Sequence, residues 1–443
     1  MSERASGSTE KRWGIVGGGM LGMTLAQRLA QQGKQVTLIE GAPHLGGLAS
    51  AWTLGEVVWD RHYHVTLLSD THLRAILDEL GLDREIDWVE TRTGVLANGR
   101  LYSVSNTLEL LRFPVLGWLD TLRLGLTVLH ASRVRDWQKL EQIPVSDWLI
   151  RWSGRRTFER FWLPLLRSKL GETYHETSAA FIWATIQRLY AARRSGMKKE
   201  LFGYVPGGYA RVLECFREHL ERAGVRIELG HRVSRVAPSG RIVKVELQNG
   251  GVESFDHVVV TAAAPLAAKI CDGLSEDEME RLSGVRYLGI VCASLLLRRP
   301  LTGFYVTNLL DAGLPFTGVI EMDALVKRQH FGGNALVYLP RYLTPDDPFF
   351  DRADAEIESE FLAGLERVHP SFRREDLLAF RISRVRNVMP LPTLGYSRRL
   401  PPMTTSAPGI HLVNSAHIVN GTLNVNETVQ LAERAAREFA AIS

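Results

Sequence analysis

The sequence predicts an α/β fold that opens with a Rossmann-like βαβ unit and continues into an interleaved α+β region. Three observations carry this expectation. A short apolar run, Arg12 to Val16, leads into Gly17-Gly18-Gly19-Met20-Leu21-Gly22. Leu21, Leu25, Ala26 and Leu29 then repeat at helical spacing and give one apolar face. A second apolar run, Gln35 to Ile39, closes on Glu40. Strand, glycine turn, helix and terminal acid fall within about 30 residues, the length of one βαβ unit.

Each residue of this unit has a physical task. Gly17, Gly19 and Gly22 have G-x-G-x-x-G spacing. Gly17 permits a tight turn, Gly19 lets backbone approach a pyrophosphate, and Gly22 lets the helix pack against the strand. The helix start at Met20 and Leu21 offers free N–H groups and a positive dipole end to phosphates. Glu40 is placed to accept hydrogen bonds from ribose hydroxyls. The unit reads as a dinucleotide site.

Bulk composition narrows the rest. A chain of 443 residues suggests two to three domains, and 45% apolar with 23% charged residues is ordinary for a globular protein. A net charge of +4, evenly spread, does not predict a nucleic-acid partner. Cys215, Cys271 and Cys292 lie far apart without metal-ligand spacing, so no metal is expected and the thiols fit a reducing cytoplasm. Met1 to Lys11 is polar and reads as a disordered leader rather than a secretion signal. No run approaches the ~18 uninterrupted apolar residues of a membrane span.

After Glu40 come Gly41 and the pair Gly46-Gly47, which would let backbone pass close to a cofactor. Val57 to Val65 reads as a strand turning into Asp60-Arg61-His62-Tyr63-His64. The G-x-G-x-x-G unit ending in Glu, the later Gly-Gly pair and the acid-x-x-x-His segment resemble the FAD-dependent amine oxidase superfamily. That group includes protoporphyrinogen oxidases, phytoene and squalene-pathway desaturases and, more distantly, UDP-galactopyranose mutases. The resemblance implies that Gly46, Gly47 and Leu48 lie along the FAD pyrophosphate and that His64 lies near the flavin ring. Leu48 stands where relatives carry Arg, Lys or Asn, which makes Arg61 the candidate for the missing phosphate charge. His62 stands where relatives often have Gly.

Further along, Thr71 to Leu82 is helical in pattern, and Val95 to Val104 reads as a hairpin around Asn98-Gly99. Leu108 to His130 is leucine-rich and interrupted by Arg112, Asp120 and Arg123. It is expected as a buried helical hairpin, with a lipid-facing patch as the alternative. The helical stretch from Val145 to Tyr190 carries an aromatic stripe expected in the core. Its segment Trp162 to Gly171 looks like the helical substrate domain of the protoporphyrinogen oxidase branch. There Arg167 and Lys169 are expected to pair with local acids such as Glu172, or to face an anionic substrate group.

A helix from Ala210 to Ala223, strand Val225 to Leu229, hairpin Ile242 to Phe255 and apolar strand His257 to Thr261 follow in order. This order resembles the family's second cofactor segment and implies that Val233 meets adenine through its backbone, with Ala262 nearby. Ile290 to Leu297, Ala335 to Leu339 and Arg381 to Arg386 read as strands of the second domain, with Arg341 and Tyr342 as candidate pocket residues. The last strand, Ile410 to Asn414, and the helix after Asn424-Val425 resemble the segment that closes over the flavin. Asn414-Ser415 replaces the usual Gly-Glu or Gly-Asp, and the cysteine segment of covalent flavin attachment is absent.

The fold class implied is an α/β Rossmann-like FAD-binding domain with an interleaved α+β substrate domain. The FAD domain is expected from residues 12–70, 203–285 and 390–443, and the substrate domain from 71–202 and 286–389. The function implied is hydride transfer from a C–H or C–N bond of a lipophilic small molecule, such as an isoprenoid or tetrapyrrole, to non-covalent FAD. His62 and His64 are the candidate catalytic residues, for proton handling or flavin tuning. The alternative is a sugar-nucleotide isomerase of the mutase kind, with Arg341 and Arg384 holding a diphosphate; a non-catalytic FAD-binding partner is a third. The expected location is cytoplasmic, with peripheral contact at the inner face of a membrane left open, as is the electron acceptor.

Overall fold

The computed structural model describes residues 11–193 and 201–442, so the expected leader lies outside the described residues except for Lys11. In chain order, β1 (Arg12–Val16), α1 (Met20–Gln31) and β2 (Gln35–Glu40) form the opening unit, followed by β3 (Val57–Asp60) and α2 (Thr71–Glu79). A hairpin, Thr93–Ala97 with Arg100–Ser103, turns at Asn98-Gly99 and leads into helices that include α3 (Trp118–Arg133) and α4 (Ala179–Arg193). Next come α5 (Gly208–Arg222), β4 (Arg226–Leu229), β5 (Val233–Ser239) and β6 (His257–Val260). The remainder holds β7 (Tyr287–Leu297), β8 (Ala335–Leu343), β9 (Leu377–Pro390), β10 (Ile410–Leu412) and α6 (Val425–Phe439).

A five-stranded parallel sheet of order β4-β2-β1-β6-β10 gathers strands from three separate stretches of the chain. Helices cover one face and a three-stranded antiparallel sheet covers the other. Burial from both sides explains why β1 and β6 are apolar without alternation. Because the strands are parallel, β1, β2, β6 and β10 all end at one edge, where open α/β sheets bind ligands.

Two expectations about organisation need correction. Leu73, Ile76 and Leu77 of α2 are buried in the same core as Leu25 of α1 and Phe439 of α6. A domain boundary at residue 70 would cut through that core. In addition, α3 is not part of a buried hairpin. Its Trp118 is 73% exposed, Leu122 54% and Leu126 52%, while Asp120, Thr121 and Thr127 face inward.

The inward polar groups are satisfied, which is what allows this reversal. Asp120 Oδ2 accepts from Gly117 N at 3.1 Å and its Oδ1 from the Thr157 hydroxyl at 3.3 Å. The Thr127 hydroxyl is 2.8 Å from Ser153 Oγ, which also accepts from Trp162 Nε1 at 2.9 Å. The aromatic stripe beyond α3 is core, with Trp148, Phe158 and Trp162 buried.

The second domain is built on a seven-stranded sheet in which β9, β7 and β8 are neighbours. Its members Val306–Leu309 and Gly318–Glu321 were not among the strands expected from sequence. Every residue of β7 is buried, which makes this strand the spine of the domain.

Buried histidines tie stability to pH. Trp13 stacks on His257, ring centroids 4.5 Å apart, and on His411 at 5.6 Å. Burial, helped by the neighbouring His257, pushes the His411 imidazole down to about 4. His369 is also pushed down to about 4 by burial, and neither of its ring nitrogens has a hydrogen-bond partner. A folded-state value below the unfolded one favours the unfolded chain on protonation. Stability is therefore complete above about pH 6.5 and falls towards pH 4, at up to about 1.4 kcal/mol per pH unit for each histidine. In His369→Leu the thermal midpoint should fall less steeply over pH 6.5 to 4 than in the unsubstituted protein, as read by differential scanning calorimetry; equal slopes would remove His369 from the account.

Candidate active site

The glycine turn is held by steric demand on every side. Gly17 has φ +113, and its N–H donates to Ile39 O at 2.8 Å. A Cβ on Gly22 would stand 1.9 Å from Gly17 O, so no other residue allows this helix–strand approach. Gly19 is different. It is extended, with φ −73 and ψ 176, and a Cβ there would meet nothing closer than 4.0 Å. The space in front of it is open, and no side chain caps the start of α1 at Met20 and Leu21.

A second glycine strip faces the first. Gly46 and Gly47 both have positive φ, and Gly46 N donates to Gly18 O at 2.8 Å. A Cβ on Gly47 would lie 3.3 Å from Gly19 Cα. Two glycine stretches of backbone thus lie side by side at the strand ends, and the open strip in front of Gly19 is the slot.

Glu40 sits at the far end of β2. Its Oε2 accepts from Gly18 N at 2.6 Å and its Oε1 from Ala42 N at 2.7 Å, which fixes the carboxylate and leaves lone pairs for further donors. Gly41 packs against Arg232, and a Cβ on it would lie 3.4 Å from Arg232 Cα. With His231 N donating to Glu40 O at 2.9 Å, this places Val233 at the start of β5 next to the Glu40 end of the slot.

The chain returns close the other end. Thr261 Oγ1 donates to Val16 O at 2.9 Å, setting Ala262 beside the glycine turn. Val413 N donates to Val260 O at 3.1 Å, which brings Asn414 to the same edge. The Asn414 Oδ1 accepts from Ala416 N at 3.0 Å, while its buried Nδ2 has no partner. Asn424 caps α6 by accepting from Glu427 N at 3.0 Å, so Val425 opens the helix. Asn426 Oδ1 accepts from His72 N at 3.0 Å and Leu73 N at 3.1 Å, locking α6 to α2.

His62 and His64 differ in what they can do. His62 is buried, with Nδ1 3.1 Å from Leu48 O and Nε2 3.0 Å from Ser383 Oγ. A carbonyl only accepts, so Nδ1 carries the proton and Nε2 takes the Ser383 hydroxyl. Burial pushes this imidazole down to about 3, opposed by the Leu48 carbonyl and reinforced by His64 and Arg61. Both nitrogens are occupied and the ring is neutral. The expectation that His62 handles substrate protons is thereby corrected: it ties the Gly46-Gly47 strip to β9.

Arg61 belongs to the same chain of bonds. Its Nε donates to Ser383 Oγ at 2.9 Å, and its guanidinium lies 5.5 Å from the Trp52 ring centroid. Its hydrogen bond to Ser383 thus holds it on the β9 side, not on the phosphate slot expected for it. His64 Nδ1, in contrast, has no hydrogen-bond partner, stands 3.8 Å from Asp60 Oδ2 and faces the Tyr209 ring at 4.9 Å. It lines a small enclosed cavity with Asp60, Tyr204 and Tyr209. Asp60 is anchored by Tyr209 N at 2.7 Å.

Beyond His64 lies a wall that sequence reasoning largely missed. The Tyr63 and Tyr342 hydroxyls are 2.8 Å apart, and burial pushes the Tyr342 phenol up to about 12. Lys169 Nζ lies 5.5 Å from the Tyr342 ring centroid. Burial, with help from the Arg188 charge, holds its ammonium below the usual lysine range. Arg167 pairs with Glu172 at 3.1 Å as expected, but no described carboxylate pairs with Lys169. Arg188 pairs with Asp70 at 3.1 Å and leaves a buried Nε without a partner. Arg341 and Arg384 turn away, towards Glu360 at 3.3 Å and Asp354 at 2.5 Å. Strand alternation explains this: Tyr342 turns inward to Tyr63 and Ser383 to His62, so their neighbours face out.

The open slot at Gly19, the anchored Glu40 and the orphaned polar atoms of Asn414, Arg188 and His64 fit a dinucleotide bearing a ring system. The fold and the site thus define a Rossmann-type dinucleotide protein with a second, substrate-side domain. The model for flavin containing amine oxidoreductases matches residues 21–439, and the chain belongs to that family. It is 20% identical over 392 residues to the 15-cis-phytoene desaturase of Narcissus pseudonarcissus, matching 80% of this chain and 65% of that protein. It is 25% identical over 288 residues to the coproporphyrinogen III oxidase of Mycobacterium tuberculosis, 60% of this chain and 62% of that one. The chain thus spans just under two thirds of the length of these curated relatives. The crystal structure of a putative protoporphyrinogen oxidase from Exiguobacterium sp. 255-15 superposes with a TM-score of 0.78 at 17% identity, covering 98% of this chain and 100% of that one.

The two glycine environments predict separable outcomes. Gly22→Ala should cost about 3 kcal/mol or more in stability through overpacking. Gly19→Ala has room within the protein, so its thermal midpoint without cofactor should be unchanged while FAD dissociates at least about tenfold more readily. Ultrafiltration of the yellow protein, followed by absorbance of the filtrate, checks the second outcome.

Proposed function

We propose that this chain is an FAD-dependent oxidoreductase that removes a hydride from a C–H or C–N bond of a lipophilic small molecule. The observation that carries the reading is the open surface formed by the adjoining strips Gly17–Gly22 and Gly46–Gly47 at the sheet edge, with the uncapped start of α1 on it. Gly17, Gly19, Met20, Leu21, Gly46 and Gly47 would hold the pyrophosphate through backbone. Glu40 would take the ribose hydroxyls, Val233 would flank adenine, and Asn414 and Val425 would meet the flavin end. When bound, FAD supplies a two-electron acceptor at its ring N5. Residues 390–443 contain no cysteine, which supports non-covalent attachment.

The protein's share is to bind, orient and exclude water. Tyr63 and Tyr342, hydroxyl to hydroxyl, pack against the buried Tyr305 and Tyr338, so the region beyond His64 is aromatic. An aromatic surround suits a large apolar molecule better than a small hydrated one. His64, with a free nitrogen beside Asp60, is the residue available to hold or move a proton near the reacting bond. The relatives, a phytoene desaturase and a coproporphyrinogen III oxidase, support a lipophilic isoprenoid or tetrapyrrole. The sugar-nucleotide isomerase reading has less support, because Arg341 and Arg384, its candidate diphosphate anchors, pair with Glu360 and Asp354.

The visible spectrum of the purified protein, before and after heat precipitation, tests the cofactor. A two-banded flavin spectrum that passes into the supernatant is expected; a colourless protein that FAD cannot reconstitute overturns the reading. Anaerobic mixing with 15-cis-phytoene or coproporphyrinogen III should then bleach the flavin. In His64→Asn the flavin should be retained while turnover falls about 10²-fold, the scale of a lost acid–base group.

A further inference from the structure

We propose that α3 is a peripheral membrane-docking face that lies flat on an anionic phospholipid surface. The observation is the helix's inverted polarity. Trp118, Leu119, Leu122, Leu126 and Leu129 follow one helical stripe, and all are exposed. The opposite, buried stripe holds only Leu124 and Ala131 as apolar residues; beside them it carries Asp120, Thr121 and Thr127, each hydrogen-bonded inside the protein. The preceding helix, Thr107–Leu111, adds exposed Leu108 and Leu111. On the far side Trp152, 38% exposed, stacks on His130 of α3 at 3.6 Å. Soluble monomers seldom expose a contiguous apolar surface of this kind without a partner.

Charge decides the partner. Arg112, Arg123, Arg133 and Arg151 are exposed and border the stripe, and none forms an ion pair among the described residues. Arg151 is close enough to help burial hold the His130 imidazole below its usual range. Three of the carboxylates nearby are already engaged. Asp120 is buried, Glu109 accepts from Ser103 and Ser105, and Asp136 pairs with Lys139 at 3.0 Å. An apolar stripe ringed by unpaired guanidinium groups and tipped by tryptophans matches the acyl boundary, phosphates and interfacial zone of an anionic leaflet. A protein partner would have to bring both a leucine-matching groove and a ring of acids. At 16 residues, with Arg123 among them, α3 is too short and too polar to cross the bilayer, and no described helix is long and apolar enough to do so.

The docking face is separate from the slot and the tyrosine wall, so it stands or falls independently of the substrate. The test is flotation of the full chain with vesicles of phosphatidylcholine alone, or of phosphatidylcholine mixed with phosphatidylglycerol, in low and high salt. The protein should float with the mixed vesicles and bind at least about tenfold less on neutral vesicles or in high salt. The exposed triple variant L119S/L122S/L126S should stay at the bottom while keeping its thermal midpoint. Arg123→Gln with Arg133→Gln should weaken binding to mixed vesicles only. Three results would each overturn the proposal: no flotation with either vesicle, flotation unchanged in the serine variant, or a dimer by light scattering that the serine variant converts to monomer. The last would mean that a second copy covers this face.

Discussion

The cofactor edge depends on one steric constraint, the closeness of α1 to β1. With a Cβ on Gly22 the helix would collide with Gly17 O at 1.9 Å, so this glycine sets how near the helix axis can lie to the sheet. That distance fixes where the first turn of α1 points its N–H groups. It also fixes where Gly18 N meets Glu40 and where Gly46 N meets Gly18 O. Removing the side chain at one position therefore aligns a helix dipole, a ribose acceptor and a second glycine strip on one slot.

A second dependency runs across the two domains. Arg61 donates to Ser383, Ser383 donates to His62, and His62 donates to Leu48 beside the glycine pair. The order of donors is forced, because guanidinium cannot accept and a carbonyl cannot donate. A neutral, fully bonded imidazole at this point makes the junction between the cofactor slot and β9 a rigid one. It leaves His64, two residues on, as the histidine with chemical freedom.

Much of this was legible in the sequence because it is local. Gly17, Gly19, Gly22 and Glu40 declare a βαβ unit through spacing alone, and Asn98-Gly99 declares its hairpin through positive φ at both positions. The three cofactor segments were placed through the family resemblance, since pairing across hundreds of residues leaves no periodic trace. What failed is what periodicity cannot carry. Spacing in α3 marks two faces but not which one turns inward; that is decided by Ser153 and Thr157, which lie on other helices. Alternation in β8 and β9 separates Tyr342 from Arg341 and Ser383 from Arg384 without telling which pair turns inward. The basicity of Arg188 was hidden in a helix read for its aromatic residues, and its ion pair with Asp70 is a purely tertiary fact.

The interleaved topology also has a consequence for biosynthesis. On a ribosome, β1 and β2 emerge long before β6 and β10, the strands that complete one flank of their sheet, and before α6, which seals the helical face. At ordinary elongation rates the wait is on the order of tens of seconds. During that interval the glycine slot exists without its flavin end, and the apolar face of α1 lacks its cover. Cofactor capture is thus a late event in the life of each molecule. The half-built sheet thus exposes apolar surface through the middle of synthesis, not only at the end.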